Sequence, residues 1–220
     1  MLGCLRRLLR MPVLGCVLAC ILLSACETSS PYFGRHQSTG FFDTVVLDAG
    51  HGGHDRGARA YKGNHEKVLA LDTAQRLARI LRQNGLRVIE TRTADYFIPL
   101  DKRVAVSNSS RNAIFVSIHY NWARRSRASG VETYFYSPRS SRLAANIQRE
   151  IPRSVRANDR GVKKSSFYVL KNNRRPAVLA ELGFLSNPSE NANIQKSQVR
   201  QKLAEAVARG ILAEKSGRNP

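Results

Sequence analysis

Two histidines and two glutamates stand at positions where a zinc hydrolase could use them. His51 and His119 each follow directly after an apolar run that predicts a buried strand, and Glu66 stands at the head of a predicted amphipathic helix. Two imidazoles and one carboxylate form a three-ligand set that suits zinc and leaves a fourth coordination position open. Glu181 closes a further apolar run and provides the carboxylate that such a hydrolase needs as a general base.

Each of these residues also has a purely structural interpretation. His51 could be a turn residue in its glycine-rich loop, and His119 could be a hydrogen-bonded histidine at a strand end. Glu66 could simply favour a helix N-terminus through the helix dipole. His54 and His65 lie near the candidate ligands in sequence, and we interpret both as residues outside the site.

Strand-like and helix-like segments alternate through the region that must position these residues. The apolar patterns predict strands at 43–47, 86–90, 113–118, 131–136, 167–170 and 177–182, and helices at 65–81, 99–109, 140–151 and 198–212. This alternation predicts an α/β fold with a single open, largely parallel twisted sheet and helices on both faces. Because ligands bind beyond the carboxyl ends of the strands in such sheets, we expect the zinc site at those ends.

The segments around the candidate residues resemble the zinc-dependent N-acetylmuramoyl-L-alanine amidases. The sequence VLDAGHGGHDRGA at 46–58 resembles the DPGHGG-x-DPGA signature of that family. Three further elements match family motifs in the same order: Glu66-Lys67 followed by Leu71, SIHYN at 117–121, and PAVLAELGFLSN at 176–187. The resemblance covers residues 43–213.

The resemblance implies a set of roles for these residues. Zinc (Zn²⁺) would be bound by His51, Glu66 and His119, and Glu181 would be the catalytic base. The implied reaction is hydrolysis of the amide bond between N-acetylmuramic acid and L-alanine of the peptidoglycan stem peptide. Asn121 could bind the substrate or cap its loop.

Three positions depart from the family pattern, and one neighbouring carboxylate has two interpretations. Ala49 and Arg56 replace common prolines, and Trp122 stands where a small residue is frequent. These changes could alter the stiffness of the loops and the shape of the groove, but they remove no ligand. Asp48 could accept a hydrogen bond from a ligand imidazole or be only a part of the turn.

The N-terminal 25 residues are predicted to be a lipoprotein signal peptide. Three arginines precede an apolar stretch that is short for a membrane span, and LSAC at 23–26 resembles a bacterial lipobox. This implies cleavage before Cys26 and acylation of that residue; a plain secretory signal or an anchor helix is the alternative. Residues 26–40 are predicted to be a flexible tether, 41–214 the zinc amidase catalytic domain and 215–220 a tail.

The same segment predicts where the protein resides. Glu27 stands where an aspartate would favour retention in the inner membrane, so we expect a membrane-anchored lipoprotein that faces the periplasm from the outer membrane. Cys26 is the only cysteine after the signal peptide, so the mature chain has no internal disulfide. Any zinc must therefore be held by His, Asp or Glu.

The chain is strongly basic. Its formal charge falls from +20 to +17 on loss of the signal peptide, because residues 1–25 contain three arginines and no acidic residue. Basic clusters include Arg124, Arg125 and Arg127. We expect a monomer whose partners are peptidoglycan and, through the lipid anchor, the membrane, and we expect no nucleic acid. A solvated basic face without a dedicated partner explains the charge equally well.

Two other functions compete with the amidase. The first is a zinc carboxypeptidase-like exopeptidase that acts on stem peptides, which would need an arginine placed to bind a terminal carboxylate. The second is a non-catalytic lipoprotein that binds the cell wall. A glutamate at position 181 argues against the second function, because pure binding requires no general base.

Overall fold

The computed structural model describes residues 39–217, whose elements build one sheet with helices on both sides. The strands are β1 (Thr44–Ala49), β2 (Arg87–Glu90), β3 (Ala113–Asn121), β4 (Val131–Phe135), β5 (Asp159–Lys164) and β6 (Ala177–Phe184). The helices are α1 (Glu66–Gln83), α2 (Leu100–Ser109), α3 (Ser141–Val155), α4 (Tyr168–Lys171), α5 (Pro188–Ile194) and α6 (Ser197–Lys215).

The sheet is mixed and largely parallel. Its strand order is β2-β1-β3-β6-β4-β5. Strands β2, β1, β3 and β6 are parallel to one another, β4 pairs with β6 in the antiparallel direction, and β5 runs parallel to β4. The fold class predicted from the alternating apolar segments is therefore confirmed, with one antiparallel pairing.

Alternate residues of the central strands enter two separate cores. In β1, Val45 and Leu47 belong to a large core with α1, α3 and α6, whereas Val46 belongs to a smaller one with α2 and α4. Both cores are buried because the sheet is covered on both faces, which explains the continuous apolar strands. The smaller core has the shorter helices, of ten and four residues, so that face is less extensively covered.

One predicted strand is wrong, and two elements were not predicted. The segment predicted as a strand at 167–170 forms the helical turn α4 instead, in which Val169 and Leu170 are buried. A short apolar run fits a buried strand and a helical turn equally well, so its pattern could not decide. Strand β5 was not predicted because its sequence, DRGVKK, is mostly polar. It lies at the edge of the sheet, where a strand needs fewer apolar residues. Helix α5 begins with Pro188 after the N-cap Asn187, a recognisable start signal.

The strands that carry two of the candidate residues are longer than predicted. His119 lies within β3 rather than directly after it, whereas Glu181 lies within β6, as the predicted strand at 177–182 implied. The predicted position of Glu66 at the head of α1 is confirmed, and the helix begins at this residue, one later than the predicted start. The extension of β3 makes the backbone of His119 part of the hydrogen-bonded sheet.

The N-terminal predictions fall mostly outside the described residues. The signal peptide and Cys26 lie there, and Thr39 and Gly40 are the only described residues of the predicted tether. Thr39 is fixed to the domain, because its backbone N–H and its hydroxyl each lie 2.9 Å from Glu214 Oε1. Among the helices of residues 39–217, none combines the length and the apolar character that a membrane crossing requires.

Candidate metal centre

His119 and Glu181 are direct neighbours on adjacent parallel strands. They are register partners between β3 and β6, and both alternate with residues of the large core. Their side chains therefore lie on the face that α2 and α4 cover, toward the carboxyl ends of these strands. This placement agrees with the prediction that the site forms at that edge of the sheet.

His51 lies in the tight loop that follows β1. Its backbone is left-handed, with φ at 60°, which is uncommon for a residue with a side chain. Arg103 holds this conformation by donating to the His51 carbonyl oxygen at 2.7 Å. At the preceding residue, Gly50, a Cβ would lie 2.3 Å from His119 Cε1, so only glycine lets the two histidines approach. Their ring centroids are 4.9 Å apart.

Glu66 lies between the two histidines and is bonded on both carboxylate oxygens. Its Oε1 lies 2.8 Å from His119 Nδ1 and accepts from the Tyr120 backbone N–H at 3.0 Å. Its Oε2 lies 3.0 Å from His51 Nε2 and accepts from the Ala58 N–H at 2.7 Å. Burial raises the pKa of Glu66, but the hydrogen bonds with His119 and His51 outweigh it and hold the pKa far below its usual value. The carboxylate is therefore anionic, as a metal ligand must be.

These three residues fit a single zinc ion. One donor atom from each of His51, Glu66 and His119 lies within 4.8 Å of the other two. Two imidazole nitrogens and one carboxylate oxygen are a donor set that zinc prefers. Since the carboxylate is buried and the histidines are partly accessible, an ion could enter from the solvent side.

Asp55, rather than Asp48, orients a candidate ligand. Asp55 Oδ2 lies 2.8 Å from His51 Nδ1, an arrangement that leaves Nε2 facing Glu66. Asp48 instead accepts from Thr91, Arg103 and Ser117, so its suggested contact with an imidazole is not observed. Sequence reasoning missed the role of Asp55, although its position four residues after His51 in a glycine-rich loop was a usable signal.

Glu181 is partly buried, and one oxygen of its carboxylate is buried without a partner. Its Oε2 has no hydrogen-bond partner among the described residues. Burial raises the pKa of Glu181 well above its usual value, and the negative charges of Glu66 and Glu132 raise it further. A carboxyl group that holds a proton more tightly than usual is suited to proton transfer near neutral pH.

A second carboxylate, Glu132, lies beside Glu181 and is saturated with donors. The two are register partners between β4 and β6. Glu132 accepts hydrogen bonds from four side chains, which are Asn121, Tyr134, Arg160 and Lys163. Glu132 is therefore held as an anion, in contrast with Glu181, and sequence reasoning did not identify it. The alternation of 131–136 was the available signal, because it places Glu132 and Tyr134 on one face.

Asn121 is engaged on both sides of its amide. Its Nδ2 donates to Glu132 at 2.7 Å, and its Oδ1 accepts from the Trp122 backbone N–H at 2.7 Å. The second contact is the hydrogen bond expected if Asn121 caps its loop.

The candidate residues open into one cavity of about 610 Å³. Its lining includes His51, Glu66, His119, Asn121 and Glu181, together with a largely apolar rim. The two other histidines among residues 39–217 do not join the metal cluster: His54 packs against Phe97 and His65 precedes α1. A second cavity of about 620 Å³, between the end of α3, α5 and α6, contains none of the candidate residues.

Comparisons with known proteins place most of this chain in one protein family. A sequence profile described as N-acetylmuramoyl-L-alanine amidase matches residues 45–213. The uncharacterized protein YqiI of Bacillus subtilis is 38% identical over 200 residues, which cover 89% of this chain and 92% of YqiI. The probable cell wall amidase LytH of Staphylococcus saprophyticus is 33% identical over 172 residues, which cover 77% of this chain and 57% of LytH.

The fold is also similar to solved structures. The N-acetylmuramoyl-L-alanine amidase AmiC2 of Nostoc punctiforme superposes with a TM-score of 0.74 at 36% identity, over 77% of this chain and 94% of that one. The curated relatives differ in length. This chain matches nearly all of YqiI, about half of LytH and 35% of the amidase LytC of Bacillus subtilis.

Proposed function

The chain belongs to the N-acetylmuramoyl-L-alanine amidase family, and from this premise we propose that it hydrolyses the bond between N-acetylmuramic acid and L-alanine in peptidoglycan. The observation that carries the proposal is the convergence of His51, Glu66 and His119 beside Glu181, which has a buried carboxylate oxygen without a partner. Metal ligands and a proton-transfer group thus share one cavity.

His51, Glu66 and His119 would hold the zinc ion, and Asp55 would fix the ring of His51. A zinc ion bound there would supply Lewis-acid polarisation of the substrate carbonyl and would make water more acidic. The buried anion of Glu66 favours such a cation, because a buried negative charge without compensation is costly.

Glu181 would move the proton. Its carboxylate lines the cavity and can accept a proton from the attacking water and deliver it to the nitrogen of the departing L-alanine. Glu132 would not compete for this role, because four donors already occupy its oxygens. The apolar rim of the cavity limits the access of bulk water to this carboxyl group.

The cavity is less suited to an exopeptidase. Arg103 is the only arginine among the described residues of its lining. Its guanidinium donates to Asp48 and to the carbonyl oxygens of Ala49, His51 and Ile98. Four of its five N–H donors are thus used, so Arg103 cannot offer the pair of hydrogen bonds by which an arginine usually binds a terminal carboxylate. Pure wall binding is also disfavoured, because a binding surface gains nothing from an unpaired buried carboxyl group.

The remaining predictions extend this proposal. We propose that Asn121 contacts the substrate with the amide hydrogen that Glu132 does not accept. We also propose that Cys26 carries the lipid anchor and places the enzyme in the periplasm, at the outer membrane.

Mass spectrometry of muropeptides incubated with the enzyme tests the proposed reaction. Wild type should release free stem peptide and leave peptide-free glycan. Glu181→Gln should lower this rate by about 10²–10⁴-fold without loss of bound zinc, since the general base is removed. A chelator should abolish the release of stem peptide by wild type, because it removes the metal ion.

Glu205→Gln, a substitution on the distant helix α6, is the matched control and should leave the rate unchanged. Stem peptides that are shortened but still joined to muramic acid would show an exopeptidase instead. A folded, zinc-loaded protein that cleaves nothing would contradict the proposed function.

A further inference from the structure

Trp122 is the only tryptophan of the chain, and its side chain is not buried. The residue is 53% exposed and lies at the edge of the candidate active-site cavity. Tryptophan has a large apolar surface that is usually covered in a folded domain. No aromatic ring or cation among residues 39–217 stacks on the indole.

Exposed apolar side chains concentrate around this cavity. Nine large apolar side chains of the described residues are exposed, and five of them line it. The five are Phe97, Leu100, Trp122, Phe167 and Tyr168. Isolated exposed apolar residues are common, but a group around one concave site indicates ligand contact.

The backbone on both sides of Trp122 is fixed. The Trp122 N–H donates to Asn121 Oδ1 at 2.7 Å, and the next N–H, of Ala123, donates to Ser186 Oγ at 3.0 Å. Asn121 also accepts from the Leu185 N–H at 2.8 Å through its carbonyl oxygen. The backbone that carries the indole is therefore preformed beside β3, which reduces the conformational entropy lost when a ligand binds.

From this arrangement we infer that Trp122 is a glycan-binding residue, whose indole face stacks on a sugar ring of the peptidoglycan strand. This rests on the proposed function, which identifies peptidoglycan as the ligand. One face of an N-acetyl hexose ring presents C–H groups of slight positive charge, and the face of an indole is negative. A flat, rigid ring matches this surface better than the small alanine side chains of a stem peptide.

Charge on the same loop favours the glycan further. Arg124, Arg125 and Arg127 follow Trp122 and are all exposed. Removal of the stem peptide leaves a lactyl carboxylate on each muramic acid, so the processed strand is an anionic polymer. The loop thus combines one aromatic surface with three positive charges, and both match a partly processed glycan strand.

Intrinsic fluorescence tests this inference without any catalytic turnover. The full chain with Glu181→Gln is titrated with purified peptide-free glycan strands, and the emission of Trp122, the only tryptophan, is recorded. We expect a saturable change in intensity and a shift to shorter wavelength, because the sugar removes water from the indole. Isolated stem peptide should produce no such change.

Calorimetry with variants provides the second measurement. Trp122→Ala in the same background should bind glycan about tenfold more weakly, equivalent to ~1.4 kcal/mol, whereas Trp122→Phe should retain most of the affinity. Tyr61→Ala is the matched control, because Tyr61 is 58% exposed and lines a different cavity. It should bind glycan as the parent does.

The outcomes separate this inference from the proposed reaction. The inference is overturned if glycan does not bind, if it binds without changing the emission, or if stem peptide produces the change instead. Release of stem peptide by wild type is measured independently. If wild type releases stem peptide but its tryptophan emission does not respond to glycan, the proposed function stands and only this inference is excluded.

Discussion

At the residue scale, the candidate metal centre depends on groups that hold its ligands as much as on the ligands. Glu66 and His119 are fixed by the start of α1 and by β3, whereas His51 lies on a loop with a left-handed backbone. Arg103 holds the His51 backbone and Asp55 holds its ring. The ligand on the least regular element thus has the most side-chain support.

Replacing Asp55 should therefore weaken metal binding. Asp55→Ala removes the acceptor for His51 Nδ1, and partners of this kind contribute about 10–100-fold in metal affinity. Competition with a chromophoric chelator measures the change. Asp101→Asn, an exposed substitution in the first turn of α2, is the control and should leave the affinity unchanged. Equal affinities for all three proteins would exclude a supporting role for Asp55.

At the element scale, the C-terminal helix connects distant parts of the chain through one carboxylate. Glu214 on α6 accepts from Thr39, at the start of the described residues, and from Arg142 and Asn146 on α3. Burial raises the pKa of Glu214, but the hydrogen bonds from Arg142 and Thr39 outweigh burial and lower it below the usual value. The anion is thus stabilised in the folded protein.

This shift gives a stability contribution with a defined pH dependence. Because the folded pKa is the lower one, the contribution is present above the pKa of the unfolded chain and is lost as the pH falls through the folded pKa. Glu214→Gln should lower the free energy of unfolding by about 1–3 kcal/mol at pH 7, and by less in acid. Urea denaturation at several pH values measures both effects.

The control for this prediction lies on the same helix. Glu205 is only partly buried and accepts from Gln201 within α6, so Glu205→Gln should change the free energy of unfolding by less than ~0.5 kcal/mol. If Glu214→Gln lost the same free energy at every pH, ionisation of Glu214 would not be the source of its contribution.

At the scale of the whole molecule, membrane attachment is proposed to depend on Cys26. Cys26→Ser should abolish incorporation of labelled palmitate and release the protein from the membrane fraction, because the thiol to be acylated is absent. Cys20→Ser, a change within the predicted signal peptide, is the matched control and should retain the label. A Cys26→Ser protein that still carries palmitate would contradict the proposed anchor.

The sequence by itself determined the types of the candidate ligands, most of the strand and helix pattern, and the position of Glu66 at the start of α1. These features are local, since the 3.6 and 2.0 residue periods of apolar side chains are readable along the chain. The short run at 167–170 shows the limit of this reasoning. Four apolar residues satisfy either period, and only packing against the smaller core selected a helix.

The tertiary structure alone decided which polar groups meet. Asp48 and Asp55 both lie close to His51 in sequence, but the fold directs Asp48 to Arg103 and Asp55 to the imidazole. Glu132 and Glu181 are 49 positions apart and become neighbours only when β4 pairs antiparallel with β6. Strand register and burial arise from contacts distant in sequence, and these set the pKa of Glu181 and left its Oε2 unpaired.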